Sequence, residues 1–485
     1  MPAFAATLHA CWLLRLAAAP ALAEEPRYPV IAIEAVGVVD VVRGALVGPR
    51  TVITIGGRIA GIEDPDTFVI PPAALRVDGR GRFLIPGLVD MHVHLFNNAT
   101  HRRPNDWAFP LFVANGVTGV REMSAQPADM PLLADWRAAL ARGDLIAPRV
   151  LANAVSVRRS SLTATRQQVR VAYAAGADSL KVFSDAREPY WRAILADARA
   201  LQMPVYGHVP ADVKLLEAAT AGQRSNEHLM QVYEACSTME ARALKTRRGL
   251  GGKEVVRLRD AQESEVLAAF DQRLCDRTAA QLASTEQVQV PTLVLAHSEA
   301  RGSRLSMHED TRWPYLRSDE QARWERLLAT KTSADEQLAT RRLEVAQQIV
   351  KTLHAAGVRI LAGTDAPMPL VYPGFSLQKE LELLVESGLA PADALRAATI
   401  WPAEFLGTSE NSGSIALGKR ADLVLLDENP LREISNTQRI RAVVLDGRLL
   451  ERGQLDDLLR RTASSEPQIR SHRSDPPVGS TGGSE

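Results

Sequence analysis

Charge of one sign, aromatic residues and cysteines are absent or scarce in this chain, and each shortage argues against a class of function. Lysine plus arginine and aspartate plus glutamate both number 57, so the formal net charge is zero. A neutral chain has no overall field that attracts nucleic acid or an anionic membrane. An aromatic content of 5% also argues against a stacking surface for single strands. We therefore expect a globular protein with a small-molecule substrate and leave homo-oligomerisation open.

Long hydrophobic runs are also missing after the first 23 residues, which argues against a membrane span. The first 23 residues are typical of a secretory signal, because an apolar segment broken only by Arg15 precedes Ala21 and Ala23. A basic segment ahead of the apolar run is missing, so a misassigned start or a flexible tail is the alternative. We expect residues 1–23 to be a signal peptide and the mature protein to be periplasmic or secreted.

The chain has three cysteines, and Cys11 lies in the signal segment. Cys236 and Cys275 then remain in an exported protein, where disulfides persist. We expect these two residues to form a disulfide, with two buried free thiols as the alternative. Neither lies near the histidine motifs in the sequence, which argues against a zinc ion bound by thiolates.

The two ends of the chain have a similar strand-rich texture. Residues 52–55 and 59–62 flank a Gly-Gly pair in a hairpin pattern, and apolar runs return at 421–427 and 440–447. We expect residues 24–84 and 405–455 to form the two halves of one small β-sandwich. A barrel domain over residues 85–404 would be inserted between them, and residues 456–485 would be a flexible tail.

The middle of the chain alternates short apolar runs with helical stretches, which is typical of βα units. The pattern predicts eight strands, over residues 88–94, 116–122, 149–156, 179–183, 204–210, 224–229, 288–295 and 359–366. Eight strands that are each followed by a helix predict an α/β fold of the (β/α)8 TIM-barrel type. In such barrels the chemistry lies at the carboxyl ends of the strands.

Ionisable residues of metal-binding type stand at or near the ends of several predicted strands. His92 and His94 are two apart in the first strand, so both imidazoles point to the same face. A lone pair of this kind is weak evidence for a metal. Other strands carry the further candidate ligands, which are Lys181, His208, His228 and Asp365.

These motifs resemble the metal-dependent amidohydrolase superfamily. The run Pro-Gly-Leu-Val-Asp-Met-His-Val-His at 86–94 is similar to its first-strand signature. Lys181, His208, Glu-His at 227–228 and Gly-Thr-Asp-Ala at 363–366 follow in the same order, and residues 413–424 resemble the return strand after the barrel. Over residues 33–452 the chain looks most like the imidazolonepropionase- and prolidase-related branch. That resemblance implies a binuclear zinc site bridged by a carboxylated lysine.

The chemistry of the donors points the same way. Four imidazoles, one carboxylate and one lysine suit Zn²⁺, and Co²⁺ or Mn²⁺ fit the same donors. An ammonium beside two dications is repelled, so we expect Lys181 to lose its proton and add CO₂ to form a carbamate. An ion-paired surface lysine is the alternative. Asp365 would accept a proton from the shared water and pass it to the leaving nitrogen, whereas the alternative is a turn or helix-cap residue.

Three further residues are candidates for contact with substrate. His297 follows the seventh predicted strand. Tyr206 could offer a hydroxyl to the barrel interior, although a packed core tyrosine is the alternative. Arg121 could bind a carboxylate, although an ion-paired arginine is the default.

We expect hydrolysis of an amide C–N bond in a small substrate such as a dipeptide or N-acyl amino acid. The alternatives are a cyclic-amide hydrolase of the imidazolonepropionase kind and a lactone or organophosphate ester hydrolase. A metal-free scaffold is disfavoured because all six ligand positions are filled.

Overall fold

A computed structural model describes residues 30–96, 103–158, 161–301 and 307–463. The predicted signal peptide at 1–23 lies outside the described residues, as do residues 464–485 of the predicted tail. Residues 456–463 were expected to be flexible, but they belong to a helix, Arg452–Ala463, whose Leu455 and Leu458 are buried.

Fifteen strands are described. In chain order they are β1 (Ile31–Asp40), β2 (Ala45–Ile55), β3 (Arg58–Glu63), β4 (Leu75–Asp78), β5 (Phe83–Pro86), β6 (Leu88–Val93), β7 (Val117–Ala125), β8 (Arg149–Val157), β9 (Ser179–Val182), β10 (Val205–Gly207), β11 (Ser225–Glu227), β12 (Val288–Val290), β13 (Leu423–Leu426), β14 (Ile440–Leu445) and β15 (Arg448–Glu451).

The described residues also form sixteen α-helices and five short 3₁₀ helices. The α-helices are α1 (Phe109–Ala114), α2 (Met130–Arg142), α3 (Leu162–Ala174), α4 (Glu188–Ala200), α5 (Leu215–Ala221), α6 (Val232–Ala235), α7 (Glu240–Arg247), α8 (Gly252–Ala268), α9 (Gln272–Ala283), α10 (Leu293–Arg301), α11 (Ser318–Leu328), α12 (Ser333–Ala355), α13 (Phe375–Glu386), α14 (Pro391–Ala397), α15 (Ile400–Phe405) and α16 (Arg452–Ala463). The 3₁₀ helices are Asp106–Ala108, Pro127–Asp129, Met307–Glu309, Trp313–Tyr315 and Ile434–Gln438. No helix of the described ranges combines the length and the apolar character that crossing a bilayer requires.

The two ends of the chain pair in one mixed sheet of eight strands. Its order is β15-β14-β13-β5-β1-β2-β3, with β4 beside β1, and the link between the two ends is the antiparallel pair β5 and β13. The predicted hairpin is present as β2 and β3, because Gly56 and Gly57 both take the positive φ that the turn requires. One apolar cluster, with Ile33 and Leu425 among its members, joins both ends. A division of this sheet into a sandwich stays a prediction.

The middle of the chain forms parallel strands. β6 to β10 lie side by side in chain order, and β11 pairs with β12. One bridge, between Val205 and Gln223, connects β10 to the residues just before β11. Two further bridges extend the sheets to the eighth predicted strand, from β12 to Ile360 and from β6 to Ala366. Residues 359–366 are therefore bridged to β12 and β6 but do not form a regular strand. The structure has a parallel half-barrel of five strands with these extensions, and a complete eight-stranded barrel stays a prediction.

The seventh predicted strand is shorter than expected. It ends at Val290, and Thr292 then takes a φ of 48° before α10 begins at Leu293. Glu380 on α13 accepts a hydrogen bond of 2.7 Å from the Val294 N–H, so a residue far along the chain stabilises the start of this helix.

The long segment between β11 and β12 is helical, as its composition predicts, and contains α6 to α9. Cys236 and Cys275 form a disulfide across it, with their Cα atoms 4.2 Å apart. Arg342 of α12 binds both Glu263 of α8 and Glu299 of α10. These links hold the segment against the helices around the strands.

Candidate metal centre

The six predicted ligands converge at the carboxyl ends of the parallel strands. His92 lies on β6 and Lys181 on β9, and both are buried. His94, His208 and His228 follow the last residues of β6, β10 and β11, and Asp365 lies in the segment bridged to β6. The parallel order of the strands brings residues that are far apart in the sequence to one mouth.

Asp365 joins the two histidines of the first motif. Its Oδ1 lies 2.7 Å from His94 Nε2 and 3.1 Å from His92 Nε2. One donor atom from each of these three residues falls within a group that spans at most 4.8 Å. Two imidazoles and a carboxylate at this spacing can hold one divalent cation.

Lys181 and the other two histidines adjoin this group. Lys181 Nζ lies 3.2 Å from His92 Nε2. The ring centroids of His92 and His228 are 4.6 Å apart, and those of His208 and His228 are 5.0 Å apart. His208 Nε2 is buried and has no hydrogen-bond partner among the described residues, and its Nδ1 receives only a long contact of 3.4 Å from Ser184 N. A buried imidazole left so weakly bonded fits a metal ligand.

The buried side chains have the protonation states that metal binding needs. Burial lowers the pKa of His94 to about 4 and that of His228 to about 3, so both imidazoles are neutral near pH 7. Burial also lowers the pKa of Lys181 to about 8, although nearby Asp365 opposes the shift. Burial alone raises the pKa of Asp365, but His228 and His94 outweigh that effect and hold it well below its usual range.

A buried ion pair orients His92. Its Nδ1 donates to Glu227 Oε2 at 2.8 Å, and Arg121 donates to both Glu227 oxygens at 2.9 and 3.0 Å. Ser225 donates its hydroxyl to the same carboxylate. Since Glu227 is a carboxylate, His92 keeps its proton on Nδ1 and turns the Nε2 lone pair toward Asp365 and Lys181.

A threonine orients the His228 ring, as Glu227 orients that of His92. Thr292 Oγ1 donates to Pro291 O at 2.8 Å and lies 2.8 Å from His228 Nδ1. Because the hydroxyl proton is already used, His228 Nδ1 donates to Thr292 and its Nε2 is left with a free lone pair.

Two glycines permit the close approach of the strands. A Cβ on Gly207 would lie 2.3 Å from Val182 O and 3.0 Å from Lys181 Cγ, and one on Gly363 would lie 3.0 Å from His92 Cβ. Asp365 has a φ of 69°, a left-handed conformation that is uncommon for a residue with a side chain. The strained backbone thus falls on a predicted ligand.

Asp90 fixes this strained turn, a role that the sequence reasoning missed. Its carboxylate accepts from Thr364 Oγ1 at 2.6 Å, from Thr364 N at 3.0 Å and from His92 N at 3.1 Å. Asp90 and Glu227 both stand inside the motifs as charged residues on strands, and that position was the available signal.

The structure corrects two of the three predicted substrate contacts. Arg121 is fully buried and donates to Glu227, Ser225 and the Met91 carbonyl, so it lies behind His92 and does not face a substrate. Tyr206 packs in an apolar cluster against Phe405, with ring centroids 5.3 Å apart, and is a core residue.

His297, the third predicted substrate contact, lies on α10 and not at the end of a strand. It is half-buried, and burial lowers its pKa to about 4, with smaller contributions from Lys379 and Arg301. None of the charged groups that act on it belongs to the six-ligand cluster.

Known proteins resemble this chain over different extents. Ochratoxinase from Aspergillus niger is 34% identical over 110 residues, which is 22% of this chain and 21% of that protein. Human N-acetylglucosamine-6-phosphate deacetylase is 32% identical over 96 residues, 19% of this chain and 22% of that protein. The chain thus aligns with about a fifth of the length of each of these curated relatives.

Solved structures match over almost the whole chain, at identities that establish the fold alone. A bottromycin amidohydrolase aligns with a TM-score of 0.68 and 24% identity, covering 90% of both chains. A Xaa-Pro dipeptidase with bound methionine gives a TM-score of 0.60 and 20% identity, covering 87% of this chain and all of that one. Ochratoxinase from A. niger gives 0.57 and 17%, covering 87% and 96%.

A family model described as the amidohydrolase family matches residues 83–450, which span the half-barrel, the six predicted ligands and the return strands β13 and β14. Members of such a family bind divalent metal, and the His92, His94 and Asp365 group is a site of that kind. The chain belongs to the amidohydrolase family.

Proposed function

We propose that this chain hydrolyses the amide C–N bond of a small substrate such as a dipeptide or an N-acyl amino acid. The observation that carries the proposal is the convergence of four imidazoles, one lysine and one carboxylate at the strand ends, with the ligand histidines His94 and His228 held neutral. The family match and the names of the structural neighbours, an amidohydrolase and a dipeptidase among them, support the same bond type.

Two divalent ions fit the donor set. His92, His94 and Asp365 would hold one, and His208 and His228 would hold the other. Lys181 Nζ lies 3.2 Å from His92 Nε2, and the lowered pKa of Lys181, about 8, leaves a useful fraction of neutral amine near pH 7. The neutral amine can form an N–C bond to CO₂ and release a proton, which gives a carbamate with two oxygens for bridging. The ions, when bound, polarise the scissile carbonyl and lower the pKa of water.

Asp365 is the residue that we assign to proton transfer. Its Oδ1 lies 3.1 Å from His92 Nε2 and 2.7 Å from His94 Nε2, on the side of the predicted metal, and we assign the proton to Oδ2. Oδ2 can therefore accept the proton of the attacking water and deliver it to the leaving nitrogen.

The fold proposal is that the bridges at Ile360 and Ala366 complete a (β/α)8 barrel. The Met91 N–H donates to the Ala362 carbonyl at 2.9 Å, and the Leu361 N–H donates to the Gln289 carbonyl at 2.9 Å. These hydrogen bonds join residues 359–366 to β6 on one side and to β12 on the other. They support that segment as the eighth strand position of the barrel.

A substrate panel tests the function. Purified protein would be assayed on dipeptides, N-acyl amino acids, cyclic amides, a lactone and a phosphotriester, beside Asp365→Asn and the exposed control Asp144→Asn. We expect turnover of linear amides by the parent and the control, and a loss of at least about 100-fold in Asp365→Asn. Turnover of the lactone or phosphotriester alone, or of cyclic amides alone, would overturn the proposal.

A further inference from the structure

An arginine outside the predicted ligand set lies at the mouth of the strands. Arg158 directly follows β8, the neighbour of the strand that carries Lys181. Its Cζ lies 3.4 Å from the centroid of the Phe183 ring, and Lys181 Nζ lies 4.8 Å from the same centroid. The Phe183 ring also packs edge-on against His208, with centroids 5.2 Å apart. A single aromatic ring thus connects Arg158 to two of the candidate ligands.

The guanidinium of Arg158 keeps its hydrogen-bonding capacity. The side chain is exposed, and its guanidinium forms no ion pair or hydrogen bond with the described residues. Asp185 is the carboxylate that acts on it through space. Its backbone N–H is bonded to Gln168 Oε1 at 3.1 Å, which fixes the start of the side chain. A guanidinium stacked on a ring presents its N–H groups at its edge, as a planar fork that matches a carboxylate.

Two other arginines near the cluster are already engaged. Arg121 is buried against Glu227. Arg259 donates to Asp260 at 2.8 Å and to Ser184 Oγ at 3.0 Å. Of these three arginines, Arg158 is the one whose guanidinium is available to a ligand.

We propose that Arg158 binds the free carboxylate of the amino acid whose nitrogen is released, and so selects N-acyl amino acids and dipeptides over their carboxamides. This inference rests on the proposed amide hydrolysis. In such substrates the carboxylate is attached to the carbon next to the scissile nitrogen, within one residue length of about 3.8 Å. Arg158 Cζ and Lys181 Nζ lie 3.4 and 4.8 Å from the centroid of one ring, so the guanidinium is near enough to Lys181 to reach that group.

Matched substrates and variants test the assignment. The value of kcat/KM would be measured for an N-acyl amino acid and for its C-terminal carboxamide, with the parent protein, Arg158→Leu and Arg158→Lys. Arg192→Leu is the control, because Arg192 is also exposed and lies over an aromatic ring, at 5.4 Å from Trp191, but is paired with Glu188 and Glu217. Thermal unfolding and metal content would be recorded for every variant.

We expect Arg158→Leu to lower kcat/KM for the acid by about 10- to 100-fold and to change the carboxamide by less than about 3-fold. Arg158→Lys should recover only part of the loss, since a lysine lacks the planar fork. Equal use of acid and carboxamide by the parent, or an equal loss on both in Arg158→Leu with metal content retained, would overturn the inference while amide hydrolysis stands. Failure of the parent on every amide would instead overturn the proposed function.

Discussion

Replacement of Glu227 by glutamine probes the buried support behind His92. Each oxygen of the Glu227 carboxylate accepts two hydrogen bonds. Oε1 accepts from Ser225 and Arg121, and Oε2 accepts from His92 and Arg121. A glutamine in either orientation places its NH₂ group against two of these donors. It also leaves the fully buried Arg121 without a counter-ion.

The size of the effect follows from this geometry. Removing one partner of a buried ion pair costs about 3–5 kcal/mol, because the remaining charge stays desolvated. Arg121 and Glu227 are each 0% exposed, so water cannot take over the lost contact. We therefore expect Glu227→Gln to lower the free energy of unfolding by about 3–5 kcal/mol. Metal affinity should fall by about 10- to 100-fold, since His92 loses its orienting acceptor.

Chemical denaturation of the metal-free protein and metal titration would measure the two effects. Glu286→Gln is the control, because the Glu286 side chain is 85% exposed and lies 3.8 Å from Arg224; its change should stay within about 0.5 kcal/mol. The double variant Arg121→Met/Glu227→Gln removes both charges and should recover part of the lost stability. A loss below about 1 kcal/mol in Glu227→Gln, with no recovery in the double variant, would refute this reasoning.

Two other predictions concern stability. Burial raises the pKa of Glu380 from its ordinary value of 4.5 to about 8, so the folded state retains a proton that the unfolded state releases. The free energy of unfolding should therefore fall as the pH rises between these two values, by roughly 1 kcal/mol for each pH unit. Glu380→Gln should flatten that slope in denaturation curves from about pH 5 to 9, and an unchanged slope would contradict the assignment. Replacing Cys236 and Cys275 with serine should lower the free energy of unfolding by about 4 kcal/mol, since the disulfide closes a loop with a sequence separation of 39. Equal stability of the oxidised protein and the double variant would argue against a stabilising disulfide.

The convergence of the six predicted ligands was predictable because it depends on local rules. His92 and His94 share a face through the period of a strand, and parallel strands bring their carboxyl ends to one edge. The structure accordingly gathers His208, His228 and Asp365 with them. The sequence pattern therefore predicts directly which residues stand at the end of a strand.

The burial of Arg121 and Tyr206 was not predictable because it depends on distant partners. Arg121 is buried by a carboxylate 106 positions later, at Glu227. The strand expected through residue 295 gives way to α10, whose first turn is held by Glu380 on α13. Such pairings are set by tertiary packing. The local sequence around Arg121 or His297 does not distinguish a core residue from a residue that binds substrate.

The content of divalent metal per chain tests the central claim most directly. We predict two zinc-type ions per chain in the purified protein. We also predict that Lys181→Ala abolishes turnover, with partial recovery when short-chain carboxylic acids replace the missing carbamate. One ion or none in the parent protein, or full activity in Lys181→Ala, would contradict the six-ligand account.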